Sequence, residues 1–188
     1  MRSPFYFIVE PVNNKRYDNT TDIGGVEFIT STSQEDFRFS NRMAKVISTP
    51  INYKGEVSVG DLVVVHHNVF KIQYDMKGRQ KSGKSFLKDN TFFIDETQFY
   101  AYKHKGEWRC HSHNCFVKPI ENRQDYFIYK PGTEEGLMGI MKYNNKDLEN
   151  LGIHNGALVC FEPESEYEFH IDGEKLYRMY TRNITMTL

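Results

Sequence analysis

The chain has 188 residues, and its 24 Lys+Arg stand against 25 Asp+Glu for a net charge of −1. So even a balance argues against a dedicated nucleic-acid binder, which presents a basic face, and the lack of any run of ~20 apolar residues argues against a membrane-spanning helix. Hydrophobic residues make up 39% and aromatic residues 14%, enough for a packed core, while three cysteines and no apolar leader lead to the expectation of a reducing, cytoplasmic compartment.

Strand-like runs dominate. In chain order they are Phe5–Val9, Ala44–Ile47, Leu62–His66, Phe92–Ile94, Phe99–Tyr102 and Phe116–Ile120. The second half adds Tyr126–Tyr129, Leu137–Lys142, Ala157–Phe161, Tyr167–Ile171 and Leu176–Tyr180. All are rich in Val, Ile, Phe and Tyr and are bounded by Gly, Asn, Asp or Pro. The single helical signal is Asn145–Leu151, capped by Asn145 and stopped by Gly152.

The halves repeat. Tyr6–Pro11 returns as Tyr126–Pro131, 120 positions on; Val59–Val63 returns as Asn155–Val159, 96 on; Glu107–Cys110 returns as Leu176–Met179, 69 on. Read as one duplication, the shrinking offset gives the first copy two insertions of about 24 and 27 residues. Each copy is then about six short strands in roughly 70 residues, the size of a small closed barrel. The expected domains are 1–120 and 121–188.

The early insertion, loop 17–41, is polar and turn-rich around Ile23-Gly24-Gly25-Val26-Glu27-Phe28-Ile29. Apolar residues in a solvated loop have no local core to join. They either dock on something or belong to a hairpin folding back on its own barrel. The late insertion, 69–95, carries the basic stretch Lys77–Ser85 and is expected to form a protruding β-hairpin.

Three features in this order resemble the GroES co-chaperonin family: the strand Phe5–Pro11, the loop with its Gly24-Gly25-Val26-Glu27-Phe28 tip, and Val59-Gly60-Asp61-Leu62-Val63. Glu27 departs from the family's apolar tip, and Gly156-Ala157 replaces Gly-Asp in copy two. The resemblance implies an all-β chain of two tandem small GroES-like β-barrels, the first with a long mobile loop and an enlarged hairpin, the second without the loop. It further implies a co-chaperonin that caps a chaperonin folding chamber and assists ATP-dependent folding of unfolded clients. Ile23, Gly24, Gly25, Val26, Glu27, Phe28 and Ile29 would meet the chaperonin's apical domains, and the chain would form a homo-oligomer, a seven-fold ring. Tandem barrels with such edits resemble phage-encoded co-chaperonins acting in a bacterial host. The alternative is a phage structural or assembly protein that uses the loop as an intersubunit arm.

Other motifs point elsewhere. Gly78-Arg79-Gln80-Lys81-Ser82-Gly83-Lys84-Ser85 fits the phosphate-loop pattern, but that loop must open a helix after a buried strand, and the flanking residues read as hairpin arms. Cys110-His111-Ser112-His113-Asn114-Cys115 offers zinc-type ligands, yet they are too close in sequence to wrap one ion. His66-His67 reads as a pair at a barrel end, and Glu134, Glu135, Glu162, Glu164, Glu166 and Glu168 as a solvated rim. The expectation is no enzyme, no cofactor, no metal and no nucleotide site.

Overall fold

A computed structural model describes residues 2–17, 20–29, 40–121 and 134–188. The chain is all-β and divides into two compact units, Met1–Glu107 and Trp108–Leu188. Among the described residues no helix is long and apolar enough to cross a membrane.

The first unit contains β1 (Phe7–Pro11), β2 (Thr20–Ile23), β3 (Val26–Ile29), β4 (Met43–Ser48) and β5 (Leu62–Val65). It continues with β6 (Ile72–Tyr74), β7 (Gln80–Ser82), β8 (Phe86–Lys88), β9 (Thr91–Ile94) and β10 (Phe99–His104); β11 (Glu107–Cys110) lies at the division. Its main sheet runs β11-β10-β5-β4-β1-β9-β8, and β2-β3 and β6-β7 form separate two-stranded ribbons. The second unit contains β12 (Asn114–Glu121), β13 (Glu134–Tyr143), the helix α1 (Lys146–Asn150), β14 (Leu158–Phe161), β15 (Tyr167–Ile171), β16 (Glu174–Tyr180) and β17 (Ile184–Thr187), in the sheet order β15-β16-β12-β13-β14-β17. The Asn145 side chain accepts from the Leu148 amide, and Gly152 follows the helix with φ 79°, as a cap and a stop require.

The two units are one topology written twice. Setting aside the ribbons and β11, the first sheet reads β10-β5-β4-β1-β9-β8 and the second β17-β14-β13-β12-β16-β15. Both place sixth, third, second, first, fifth and fourth strands in that spatial order. Register confirms the equivalence residue by residue. Val9 pairs with Val46 and Phe92; Val117 pairs with Met141 and Tyr177. Pro11 faces Ala44, and Pro119 faces Gly139. An irregularity falls between Ile8 and Val9 and again between Phe116 and Val117. The Gly60 amide donates to the Val46 carbonyl (2.8 Å) and the Gly156 amide to Met141 (2.7 Å), with φ 95° and 91°. Only glycine takes that conformation without strain.

Burial follows the same correspondence. The first core gathers Phe7, Val9, Ala44, Val46, Val57, Val63, Val65 and Ile94; the second places Cys115, Val117, Met141, Ile153, Val159, Phe161 and Met179 at matching positions. Gly139 stands where Ala44 does.

Two sequence expectations change. Phe116–Ile120, read as the end of the first copy, belongs to β12 and opens the second; β12 lies between β13 and β16. The likeness of Glu107–Cys110 to Leu176–Met179 is not structural, because β16 corresponds to β9 while β11 lies outside the shared set. The Tyr126–Pro131 match lies outside the described residues. Neither main sheet closes on itself among the described residues: β11 and β8 are the edges of one, β15 and β17 of the other.

Candidate functional site

The early insertion leaves the first unit between β1 and β4 through a tightly bonded neck. Tyr17 and Ser40 form an isolated β-bridge that brings its two ends together. Asn41 is 4% exposed. Its side-chain amide donates to the carbonyls of Val12 (3.0 Å) and Lys15 (2.7 Å), its side-chain oxygen accepts from the Met43 amide (2.9 Å), and its backbone amide donates to Arg16 (3.0 Å). Arg16 donates to the carbonyls of Phe70 (2.9 Å) and Lys71 (3.2 Å) and lies over the Phe92 ring. The Tyr17 hydroxyl accepts from the Ile72 amide (2.7 Å), and the Ser40 hydroxyl donates to the His67 carbonyl (2.9 Å). The neck is thus tied to the chain just before and within β6.

Beyond the neck, β2 and β3 pair as Thr20↔Ile29, Thr21↔Phe28, Asp22↔Glu27 and Ile23↔Val26. The loop's centre is therefore a β-hairpin. Its turn is Gly24-Gly25, with φ 65° and 84°, the positive pair that a two-residue turn of matching twist demands. No atom lies within 4 Å of a Cβ built on either glycine. Val26 is 56% and Phe28 50% exposed. Strand alternation puts positions 26 and 28 on one face, with position 27 between them on the other. The side chains of Ile23, Glu27 and Ile29, and residues 18–19 and 30–39 of the insertion, lie outside what the structure describes.

The remaining motifs separate. Lys77–Ser85 runs through the turn and second strand of the β6–β7 hairpin: Asp75 accepts from the amides of Lys77 and Arg79 (both 2.9 Å), Gly78 has φ 72°, β7 lies inside the motif, and β8 follows Ser85 where a phosphate loop needs a helix. Cys110 donates to the Tyr143 carbonyl (3.2 Å) and Cys115 to Met179 (3.6 Å), while His113 meets Asp147 (2.6 Å). Burial pushes the Cys115 thiol up to about 12, which disfavours the thiolate that metals bind. Among the described residues no three His, Cys, Asp or Glu side chains converge on a metal position. Of the glutamates, Glu134 meets Lys175 (2.7 Å) and Tyr177, and Asn183 donates to Glu162 (2.8 Å).

His66 and His67 stack with ring centroids 4.1 Å apart. Burial, then the neighbouring His66, Arg42 and Lys71, lowers the His67 pKa from 6.5 to about 4. The unfolded chain thus binds more protons than the folded one between those values, so stability rises with pH across that window. The first unit is expected to lose stability as pH falls from 6.5 towards 4. His67→Gln should flatten that limb in urea titrations at successive pH values; an unchanged slope would remove His67 as its source.

The neck residues were not apparent from sequence. The one local signal is Asn41, two residues before an apolar strand and able to accept from its second amide, as Asn commonly does. No protein-family model matches the chain, and no curated protein sequence matches it significantly.

Proposed function

We propose that the chain is a non-enzymatic co-chaperonin of two GroES-like units, whose arm 17–41 docks on the apical domains of a chaperonin and helps to cap its folding chamber. The observation that carries this reading is the arm itself. A pinned neck presents a glycine-turned hairpin with exposed Val26 and Phe28, and the arm leaves between the first and second strands of a repeated β topology. Fully burying such side chains is worth ~1.5–3 kcal/mol each, and both are already about half covered. One arm therefore binds weakly, and several arms on one homo-oligomer are needed for avidity. Weak single contacts also permit release when the chaperonin's ATP cycle reshapes the groove.

The test is co-sedimentation with a purified bacterial chaperonin, with and without ATP. Phe28→Asp, and replacement of 18–39 by a short Gly/Ser linker across the Tyr17–Ser40 bridge, are both expected to reduce capture at least tenfold with unchanged circular dichroism. Capture that survives both changes would remove the arm as the contact. An arm that instead resists proteolysis in the free protein would favour an intersubunit grip in a particle.

A further inference from the structure

A second projection of the first unit shares the root of the arm. Arg16 and Tyr17, where the arm begins, bond to both sides of the β6–β7 hairpin. Arg16 donates to the Lys71 carbonyl (3.2 Å) and to the Ser82 hydroxyl (3.3 Å), and the Tyr17 hydroxyl accepts from the Ile72 amide (2.7 Å). The Gly83 amide closes the base of the hairpin on the same Lys71 carbonyl (3.1 Å). Arm and hairpin therefore leave one bonded root. An extended chain advances about 3.3 Å per residue, so Lys77 stands no more than about 17 Å from Ile72, and Gly24 no more than about 23 Å from Tyr17. A partner domain that holds one tip is within reach of the other.

The hairpin is strongly one-signed. Between positions 71 and 88 stand six bases, Lys71, Lys77, Arg79, Lys81, Lys84 and Lys88, and one acid, Asp75, in a chain whose net charge is −1. Asp75 is spent on the turn. Its carboxylate accepts from the Lys77 and Arg79 amides (both 2.9 Å), and the one cation paired with it is Lys81, at 3.9 Å. Lys77, Arg79 and Lys84 are exposed. Among these cations Met76 is fully exposed and Tyr74 about half exposed. Methionine is an adaptable contact residue at binding surfaces, and a tip that served only solvation has no use for it.

We infer that the β6–β7 hairpin is a second docking element, which meets an acidic surface on the same protein that receives the arm. The inference rests on the reading of 17–41 as the docking arm. That shared partner is a protein rather than a nucleic acid, because Val26 and Phe28 ask for an apolar groove. A single arm binds weakly, and a second contact from the same bonded root adds to it at little further ordering cost. Exposed cations act chiefly by speeding encounter and by selecting a partner of opposite sign. The other acidic occupant within reach is the arm itself, which carries five acids and one base between 17 and 41. A hairpin that held its own arm would restrain docking, and a hairpin that meets the partner assists it, so the two have opposite effects on capture.

Co-sedimentation of the full chain with a purified bacterial chaperonin and ATP, at low and at high potassium chloride, decides it. The triple variant Lys77→Glu, Arg79→Glu, Lys84→Glu is expected to lower capture about tenfold at low salt, and the corresponding glutamine triple about threefold. Both gaps from wild type should close at high salt, where surface charge is screened, while Phe28→Asp abolishes capture at either salt. All three positions are exposed, so unchanged circular dichroism is expected; should the glutamates disturb folding, the glutamine triple decides. Capture that needs Phe28 but ignores these charges would overturn the inference and leave the arm reading standing, and no capture of the wild type would overturn both. A loss of equal size at both salts would overturn it as well. Higher capture by the glutamate triple would make the arm the occupant of the hairpin. Wild-type binding to a single-stranded oligonucleotide, lost in the glutamate triple with chaperonin capture unchanged, would make the occupant a nucleic acid. Either result would overturn the inference.

Discussion

Gly139→Val is expected to cost the second unit about 3 kcal/mol, with Gly139→Ala close behind, as overpacking of a filled site does. A Cβ at Gly139 would stand 2.3 Å from the Val117 side chain and 2.8 Å from the Lys118 carbonyl oxygen. The second contact is with the backbone of β12, the strand paired with β13, so relief requires the sheet itself to shift. The first unit supplies the control. Its equivalent residue is Ala44, buried at 0% exposure opposite Pro11, so the same topology holds a Cβ there when the partner strand is set differently. The chain's one tryptophan, Trp108, lies in the second unit and donates to Asp172 (2.9 Å). Because Trp108 stands on β11, the edge strand of the first sheet, calorimetry rather than its fluorescence reads that unit's unfolding. A unit of this size loses about 4–8 °C of melting temperature per kcal/mol, so a drop of about 12 °C or more is expected. Melting of Gly139→Val within ~4 °C of wild type, about 1 kcal/mol on that scale, would show that β12 and β13 adjust more freely than their register suggests.

What sequence made legible follows from where the fold constrains single residues. Gly60 and Gly156 sit at positive φ in matching turns, and the 96-position match that contains them marks true equivalents. Strand existence was legible because apolar alternation is local: Tyr167–Ile171 was expected over the same residues that form β15. The pairing of first strands was not legible. Phe7-Ile8-Val9-Glu10-Pro11 corresponds to Cys115-Phe116-Val117-Lys118-Pro119 by register, and the two share only Val and Pro. A core position asks for an apolar side chain of suitable volume rather than for one residue type, so Phe7 and Cys115 fill the same place with nothing for comparison to grip. The likeness of Glu107–Cys110 to Leu176–Met179 was chance of the kind that four-residue matches allow. At the candidate site, the Gly-Gly turn and apolar tip were visible. The neck was not, because Arg16, Tyr17 and Ser40 bond to Phe70, Lys71, Ile72 and His67, partners far along the chain.

Asn41→Ala is expected to destabilise the first unit by about 3 kcal/mol. The substitution removes two donors and one acceptor in a position 4% exposed, leaving the Val12 and Lys15 carbonyls and the Met43 amide without this partner. A buried group stripped of its partner costs ~1–3 kcal/mol, and water entering at the neck recovers part of the three-group total. Ser40→Ala, which loses the hydroxyl's bond to the His67 carbonyl and its longer contact with the Asn41 carbonyl, provides a scale on the same site and should cost about 1 kcal/mol. The effect should be confined to one unit: calorimetry should show the first transition moving down and the second unchanged. The consequence for docking is separable from stability. The neck fixes both ends of the arm, and freeing them adds conformational entropy that must be lost again on binding. Below the melting range, Asn41→Ala should therefore weaken chaperonin capture several-fold although Val26 and Phe28 are intact. Unchanged capture by a measurably destabilised variant would mean that the tip docks without help from the neck, and that Asn41 serves the fold alone.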